Sequence, residues 1–380
     1  MARLDEIFDL QMGKTPSRNN ADYWTDGQYN WVSIADLGTY QKYVEDTKEK
    51  ISTLAVQESG IKSVLANTVI MSFKLSLGKT AITQELVYTN EAIMAFIPTG
   101  KYAVLPDYFY YLFSAKDWTK GTNRAVMGTT LNKATLGAVS ISVPSLNEQR
   151  KIAAVLDKVS DLIAKRRQQL DKLDELVKAR FVEMFGDPVS NSLNLPLLSL
   201  PQLGEFGRGV SKHRPRNAPE LLGGQYPLIQ TGEVANSELY ISSFENTYSE
   251  LGFKQSKMWK AGTLCITIAA NIAKTAILAF DACFPDSVVG FVANEKTNNI
   301  FIHYWFSFFQ QILEAQAPES AQKNINLKIL SELKVIVPSI ELQNQFAAFV
   351  EQTEKSKTTI SRSLEKLETL KKALMQEYFG

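Results

Sequence analysis

The chain is poor in the residues that metal and thiol chemistry require. Its 380 residues include two cysteines, Cys265 and Cys283, and two histidines, His213 and His303. These four residues are scattered, whereas a metal site usually takes its cysteine and histidine ligands from closely spaced pairs. Both cysteines stand in apolar, strand-like surroundings, so we expect buried free thiols rather than a disulfide. We therefore predict neither a metal site nor a bound cofactor.

The sequence also lacks a recognisable catalytic motif. Gly13-Lys14-Thr15 and Gly78-Lys79-Thr80 share the last three letters of a P-loop, but Phe8 and Phe73 occupy the positions where the first P-loop glycine is required. Without that glycine the backbone cannot form a phosphate cradle. No dinucleotide-binding fingerprint follows a strand, and neither histidine stands near a nucleophile and an acid. The chain is accordingly not predicted to be an enzyme.

Long apolar runs and a strong net charge are absent as well. The most apolar stretch, residues 263–278, is interrupted by Asn271 and Lys274 and is too short to span a bilayer. Three of the first six residues, Arg3, Asp5 and Glu6, are charged, so we expect no export signal and a cytoplasmic protein. A net charge of +1 neither indicates nor excludes nucleic-acid binding, because a DNA-binding protein of this composition would concentrate its cations on one face.

Internal repetition is the strongest feature that is present. The second half of the chain repeats the first at a separation of about 194 residues, too long for a solenoid repeat. The clearest pairs are Val143-Pro144-Ser145 with Val337-Pro338-Ser339, Phe185-Gly186 with Phe379-Gly380, and Lys79-Thr80-Ala81-Ile82 with Lys274-Thr275-Ala276-Ile277. A duplicated domain predicts that the molecule addresses two similar targets.

Each copy begins with a globular segment of mixed character. In the first copy the β-branched and aromatic runs at residues 30–34, 68–73, 92–97 and 139–143 predict strands. Residues 106–116, with proline at their start and aromatic residues on successive turns, predict a helix packed on the resulting sheet. We therefore expect a mixed α/β (α+β) fold with globular domains at residues 1–146 and 186–340.

Each copy ends in a long helix, predicted at residues 147–185 and 341–380. Leu156, Ile163, Leu170, Val177 and Met184 recur every seven residues in the first helix. Because a lone helix cannot bury such a stripe, we expect each helix to be the other's partner. Thr353, Lys357 and Lys371 stand at core-type positions of the second helix. They would fix the register of the pair, mark sites where it opens to another protein, or simply form a solvated stretch of an ordinary coiled coil.

Polar and basic loop segments recur at equivalent places in the two copies. They combine cations that can neutralise phosphate with side chains that can contact base edges, which predicts DNA binding. The candidate residues are Lys14, Thr15, Ser17, Arg18, Ser33, Asp36, Lys74, Lys79, Asn123 and Arg124 in the first copy, and Arg208, Ser211, Lys212, His213, Arg214, Gln230, Thr231, Glu233, Asn271, Lys274, Gln322, Lys323 and Asn324 in the second.

Several of these segments together resemble the specificity subunit of type I restriction-modification systems. The resemblance rests on Gly13-Lys14-Thr15-Pro16-Ser17, on residues 31–37 with their counterpart at 227–234, and on Asn147-Glu148-Gln149-Arg150-Lys151-Ile152-Ala153 after a proline. It covers nearly the whole chain. The second copy departs from the last signature at residues 340–346, so we expect the distal helix to bind its partner differently.

The resemblance implies a non-catalytic DNA-recognition subunit. Each globular domain would recognise one half of a bipartite double-stranded target, and the two helices, packed as an antiparallel coiled coil, would set the spacing between the halves. The helices would dock two methyltransferase (modification) subunits that bind S-adenosylmethionine, and restriction (translocase) subunits would complete the complex. The docking positions it implies are Asn147, Glu148, Gln149, Arg150 and Gln343.

The residues leave one alternative open. A coiled-coil scaffold with two protein-binding domains and no DNA role would also contain a duplicated domain and long helices. A net charge close to zero is the best support for this alternative.

Overall fold

The chain folds into two compact units, whose boundaries fall within both long helices. Unit 1 comprises Met1–Arg167 and Arg362–Gly380, and unit 2 comprises Gln168–Ser361. The computed structural model describes residues 1–74, 76–119, 124–125, 128–129, 131–213, 215–269, 271–316 and 325–380. Within these ranges, no helix is both long enough and apolar enough to cross a membrane.

The globular part of unit 1 is built mainly from short strands. Its elements are β1 (Ala2–Arg3), α1 (Leu4–Ile7), β2 (Phe8–Met12), β3 (Tyr29–Val32), α2 (Ile34–Leu37), β4 (Glu49–Ile51), α3 (Thr53–Glu58), β5 (Val69–Ser72), β6 (Thr80–Ile82), β7 (Tyr88–Thr89), β8 (Ile93–Pro98), α4 (Pro106–Ala115), β9 (Arg124–Ala125), β10 (Gly128–Thr129), α5 (Lys133–Gly137) and β11 (Ser140–Ile141). The first long helix, α6 (Leu146–Phe185), follows and continues into unit 2.

Unit 2 repeats this order of elements with a few additions. Its elements are β12 (Leu197–Ser199), α7 (Leu200–Leu203), β13 (Gly204–Arg208), β14 (Leu222–Leu228), α8 (Thr231–Asn236), β15 (Tyr240–Ile241), β16 (Asn246–Tyr248), α9 (Glu250–Lys254), β17 (Met258–Trp259), β18 (Leu264–Thr267), β19 (Thr275–Leu278), β20 (Ala282–Cys283), β21 (Val288–Ala293), α10 (Asn299–Gln316), α11 (Leu327–Glu332) and β22 (Lys334–Ile336). The second long helix, α12 (Ile340–Phe379), begins in unit 2 and ends in unit 1.

The two units share their sheet connectivity. The main sheet has the strand order β2-β8-β5-β6 in unit 1 and β13-β21-β18-β19-β15 in unit 2. In the second sheet, β3 pairs antiparallel with β4 and parallel with β7, and β14 does the same with β16 and β20. A third pair joins β1 to β11 and β12 to β22. The mixed α/β fold and the duplication predicted from the sequence are confirmed.

The predicted strands and the predicted helix of the first copy are present in unit 1. Val69–Ser72 is buried at all four positions, which explains its continuous apolar pattern. Helix α4 starts at a proline, whose missing N–H costs nothing in the first turn. Its Phe109 and Phe113 pack against Phe8 of β2, with ring centroids 5.0 and 6.2 Å away. The aromatic face of α4 thus forms the core with the main sheet.

Within unit 2, the end of α6 and the start of α12 bury their apolar faces together. Phe181 and Phe185 of α6 are fully buried and lie 5.3 and 5.6 Å from the ring of Phe346 in α12. Phe181 also stacks on Phe301 of α10 at 5.4 Å. The helix pair is therefore continuous with the core of the globular part of this unit.

Lys357 gives the helix pair of unit 2 a defined register. This α12 residue is 5% exposed and pairs with Asp174 of α6, with Glu354 at 3.0 Å and with Glu238 at 3.3 Å. Burial alone lowers the pKa of the Lys357 ammonium, but hydrogen bonds to Asp174 and Glu354 outweigh burial and raise that pKa above its usual value. Of the roles predicted for Lys357, register is the one that this geometry supports.

Within unit 1, the start of α6 and the end of α12 also run antiparallel. Arg167 donates a hydrogen bond to Glu368 at 2.7 Å. At the opposite end of this pairing, Ile152 and Phe379 pack against the same apolar cluster, and the ring of Phe379 lies 5.5 Å from that of Tyr108. The last residues of the chain thus complete the core of unit 1.

Both cysteines are buried and free, as the sequence predicts. Burial raises the pKa of the Cys265 thiol and that of the Cys283 thiol. Because the thiolate is the reactive form of cysteine, both side chains serve as small apolar residues in unit 2.

Replacing Phe181 with alanine should destabilise unit 2 strongly. The substitution leaves a cavity among Phe185, Phe301 and Phe346, and we expect a loss of about 3–5 kcal/mol in the free energy of unfolding. Urea denaturation followed by circular dichroism measures this loss. Val182→Ala is the matched control, because Val182 is the next residue on α6 and is 40% exposed. Equal losses of unfolding free energy in the two variants would contradict the buried position of Phe181 between α6, α10 and α12.

Candidate nucleic-acid interface

The segment that carries Lys14 and Thr15 lies at the carboxyl ends of two parallel strands, β3 and β7. The Lys14 amide donates to the carbonyl of Thr89 at 2.8 Å, and its carbonyl accepts from Trp31 Nε1 at 3.1 Å. Asn90 Nδ2 donates to Thr15 Oγ1 at 3.0 Å. Ser33 follows β3 at the same sheet edge. The structure therefore brings the candidates Lys14, Thr15 and Ser33 together, with the Lys14 side chain exposed.

Arg18 is held by an aromatic ring and a carboxylate. Its guanidinium carbon lies 3.6 Å from the ring centroid of Trp24, and its Nη2 donates to Glu49 at 2.9 Å. The hydrogen bond between these side chains raises the pKa of Arg18 and lowers that of Glu49. Arg18 keeps 49% of its side chain exposed, so it presents a fixed planar cation whose charge is partly balanced. Ser17, beside it, is exposed.

Asp36 has a structural role within unit 1, and its contact with DNA stays a prediction. Its side chain is 3% exposed, and its carboxylate accepts from the Ser33 amide at 3.0 Å and from Ser33 Oγ at 2.7 Å. This reciprocal capping begins helix α2. In unit 2, Glu233 accepts from the Gln230 amide at 3.1 Å and caps helix α8 in the same way, while Gln230 is exposed.

Hairpin loops carry the remaining described candidates of the main sheets. Lys74 and Lys79 lie between β5 and β6, and Asn271 and Lys274 lie between β18 and β19. The exposed Lys79 ammonium lies directly against Gly38, at the carboxyl end of helix α2. Lys79 is thereby brought close to the helix that Ser33 begins.

In unit 2, the segment that begins at Arg208 is tethered by Gln255. The backbone amides of Lys212 and His213 donate to Gln255 Oε1 at 2.5 and 3.0 Å. Lys212 is exposed, and His213 Nε2 lies 3.7 Å from Glu220. Ser211 is 6% exposed, so its side chain is buried, and its contact with DNA stays a prediction. Arg208, at the end of β13, is exposed.

A cavity of about 230 Å³ in unit 2 brings three polar groups together. Gln230 and Thr231 line it from the start of α8, and Arg216, which pairs with Asp286, lines it from the preceding loop. Asn217, Tyr248 and Ser287 also line it, beside the apolar Leu222, Leu228 and Pro285. The candidates Gln230 and Thr231 therefore border a concave surface of mixed polarity.

Cations at the surface of the two units, of which Lys274 is half-buried and the others are exposed, differ in their ion pairing. Arg18 and Arg216 each pair with a carboxylate. In contrast, Lys14, Lys79, Lys212 and Lys274 form no ion pair with any residue that the structure describes. Asn123, Arg214, Gln322, Lys323 and Asn324 lie outside the described residues, and Arg124 lies in β9.

Gln149 and Gln343 fasten the long helices to the globular parts. Gln149 Oε1 accepts from the Leu105 amide at 2.8 Å, and Nε2 donates to the carbonyls of Ala103 and Pro144 at 2.8 and 3.0 Å. Gln343 makes the equivalent contacts with Thr297, Lys296 and Pro338 at 2.8–3.0 Å. Both side chains are fully buried.

The polar groups of the two glutamines are used within their own units, and the role of these residues in docking stays a prediction. Asn147, Glu148 and Arg150 are exposed on the first turns of α6 and remain predicted docking residues.

Sequence reasoning missed two buried hydroxyls, those of Ser72 and Thr267, which end strands β5 and β18. Each forms hydrogen bonds with the loop that carries Lys79 or Lys274. The available signal was a polar residue at the end of an apolar strand, present at corresponding positions of both copies.

Known proteins resemble the chain over most of its length. Residues 1–175 and 200–371 match the family model for the type I restriction modification DNA specificity domain. The MjaIX specificity subunit of Methanocaldococcus jannaschii, a type I restriction enzyme subunit, is 30% identical over 189 residues, which cover 49% of this chain and 43% of that protein. The EcoprrI specificity subunit of Escherichia coli is 23% identical over 372 residues, or 92% of this chain and 86% of that protein.

A solved structure shares the fold. The S subunit of the type I restriction-modification system of M. genitalium matches the whole chain with a TM-score of 0.61 and 14% identity, over 95% of that chain. At this level of identity the match concerns the fold alone.

Replacing Gln149 with methionine should weaken the attachment of α6 to unit 1. Methionine keeps the volume but leaves the Leu105 amide and two carbonyls without their partner, so we expect a loss of about 2 kcal/mol or more in unfolding free energy. Asn147→Ala, on the exposed first turn of the same helix, should cost under about 0.5 kcal/mol. Urea denaturation compares the two, and a methionine variant as stable as the control would argue against the role of Gln149.

Proposed function

Because the chain belongs to the type I restriction-modification DNA specificity family, we propose that each of its two similar units recognises one half of a bipartite double-stranded DNA target. The observation that carries this proposal is the repetition of polar loops on one fold. Ser33 in unit 1 and Gln230 and Thr231 in unit 2 follow the corresponding strands β3 and β14, and Lys14 lies beside the end of β3. Lys79 and Lys274 stand on corresponding hairpins.

The chemistry of these loops supports DNA recognition through two kinds of contact. Lysines without carboxylate partners, such as Lys14 and Lys274, would contact phosphate groups and release counterions. Neutral polar side chains, such as Gln230 and Thr231, would contact base edges in a groove. The units differ in these neutral residues more than in the lysines, so the two half-sites would differ in sequence.

Specificity subunits of this family act in complexes with other restriction-modification subunits and are not themselves catalytic. We propose that two methyltransferase subunits dock on the long helices through exposed residues such as Asn147, Glu148 and Arg150. They would bind S-adenosylmethionine, while this chain would bind no cofactor, and restriction subunits would complete the assembly. Action on cellular DNA would place the protein in the cytoplasm.

The family also weighs against the scaffold alternative. A near-zero net charge was the main support for a scaffold, but part of that balance comes from ion pairs inside the units. Lys357 with its three carboxylates and Arg18 with Glu49 are examples. Net charge therefore gives little information about the unpaired lysines at the proposed interface.

Methylation mapping tests the proposed function directly. We expect co-expression with the modification subunit of the same system to methylate a target with two separated half-sites. Single-molecule sequencing of the host DNA identifies the methylated bases, and cells without this chain are the control. Methylation that is independent of this chain would refute the proposal.

Lengthening both long helices should lengthen the spacer of that target. Seven residues inserted after Arg167 and seven after Ser361 add about 10 Å to each helix at 1.5 Å per residue, which equals about three base pairs at 3.4 Å. We expect unchanged half-sites and a longer spacer in methylation mapping. The same seven residues inserted into the linker at 190–194 should leave the spacer unchanged. Altered half-sites with an unchanged spacer would rule out a role of the helices in spacing.

A further inference from the structure

In each unit, one buried hydroxyl forms hydrogen bonds across a hairpin loop. The loop carries a lysine that is present in both copies, Lys79 in unit 1 and Lys274 in unit 2. Ser72 Oγ accepts from the Lys79 amide at 3.1 Å and donates to the carbonyl of Ser76. Thr267 Oγ1 accepts from the Lys274 amide at 3.1 Å and donates to the carbonyl of Asn271. We call Ser72 Oγ and Thr267 Oγ1 the loop hydroxyls. They bond to corresponding atoms across loops of equal length.

The backbone around the loop hydroxyls is also the same in both units. The Ser72 amide donates to the Lys79 carbonyl at 2.9 Å, and the Thr267 amide donates to the Lys274 carbonyl at 2.9 Å. The residue before each lysine has a positive φ, 82° at Gly78 and 58° at Ala273. Alanine rarely adopts this conformation, so the retained loop shape at Ala273 is imposed by its contacts and not by residue preference.

Packing alone does not explain a hydroxyl at these positions. Ser72 and Thr267 are fully buried, and the three residues before each of them, 69–71 and 264–266, are apolar and buried. A buried hydroxyl costs free energy unless it is hydrogen bonded. An alanine or valine would fill the same space without that requirement. The hydroxyl is therefore explained by the loop that it holds.

In each unit, the end of the same strand also bonds to a second segment of the chain, which begins at Leu131 in unit 1 and at Ile325 in unit 2. The carbonyl of Phe73, next to Ser72, accepts from the Leu131 amide at 3.0 Å, and the carbonyl of Ile268, next to Thr267, accepts from the Ile325 amide at 3.0 Å. Two separate pieces of chain thus meet beside each loop hydroxyl.

We propose that Ser72 and Thr267 are positioning residues for DNA recognition, each fixing the loop that presents Lys79 or Lys274 to the duplex. This inference rests on the proposed function. Neither hydroxyl would touch DNA, because both are fully buried. Each acts through the backbone of its lysine, so its removal would let the lysine adopt several positions and weaken its phosphate contact. Serine and threonine are interchangeable in this role, since each copy uses one of them.

Substitutions in the complete complex with modification subunits test this proposal, using a duplex that contains the target found by methylation mapping. We expect Ser72→Ala to weaken binding about tenfold, equivalent to about 1.4 kcal/mol. The slope of log affinity against log salt should fall by about 1, as expected for one lost phosphate contact. Ser72→Thr should restore both values. Thr267→Val, which keeps the shape of threonine, and Thr267→Ser provide the same comparison in unit 2.

A double-mutant cycle separates positioning from general destabilisation. If Ser72 acts through Lys79, adding Ser72→Ala to Lys79→Ala should weaken binding little further. Lys101→Ala, an exposed lysine of unit 1 beyond the end of β8, is the matched control for charge loss. Circular dichroism at the assay temperature verifies that each variant is folded. Should Ser72→Ala fail to fold, Thr267→Val carries the test.

Two results would overturn the positioning role. One is a Ser72→Ala or Thr267→Val complex that binds with wild-type affinity and salt slope. The other is weakened binding that the serine–threonine exchange does not restore, or that adds fully to the effect of Lys79→Ala. Failure of the proposed function is distinct, because the wild-type complex itself would then show no chain-dependent methylation.

Discussion

The antiparallel contact between α6 and α12, made separately within each unit, is the interaction on which the rest of the structure depends. A forty-residue helix with an apolar stripe on one face is unstable in water unless another surface covers that stripe. In unit 2 Phe346 packs against Phe181 and covers the stripe, and the buried Lys357 ammonium adds ion pairs that favour one register. In unit 1 it comes from the last turns of α12, whose Phe379 joins the core beside Tyr108. The globular parts are then attached to this pair by Gln149 and Gln343.

The pairing of buried charges has a cost that explains its geometry. Taking an ammonium out of water is expensive, and the cost is offset only by well-placed partners. Lys357 has three carboxylates within reach, one on the facing helix, one on its own helix and one in the globular part. Lys42 of unit 1 is comparable, since it pairs with Asp107 of α4 at 2.6 Å and with Asp157 of α6. In each unit a single cation therefore joins a long helix to its globular part.

Much of the fold could be predicted from the sequence, because burial leaves a periodic pattern. The heptad residues predicted a helix at 147–185, and the structure has it at Leu146–Phe185; the second helix is predicted with similar accuracy. The site was less predictable. Asp36 and Gln149 look like surface polar residues in the sequence, and only the folded chain shows that they bond to backbone atoms. The Gln149 partners lie up to 46 residues away, a separation that no local pattern records. Likewise, the stacking of Arg18 on Trp24 depends on loop geometry.

The division of the chain between the units has a consequence for the order of folding during synthesis. Unit 2 is one continuous stretch, Gln168–Ser361, whereas unit 1 also requires Arg362–Gly380. Every residue of unit 2 is therefore made before unit 1 can be completed. Until then, a nascent chain carries the first half of α6 without its helical partner, and Tyr108 without Phe379. Although most of unit 1 precedes unit 2 in the chain, unit 1 closes only when Arg362–Gly380 is present, so a chain that stops near residue 361 would retain the contacts of unit 2 and leave unit 1 open.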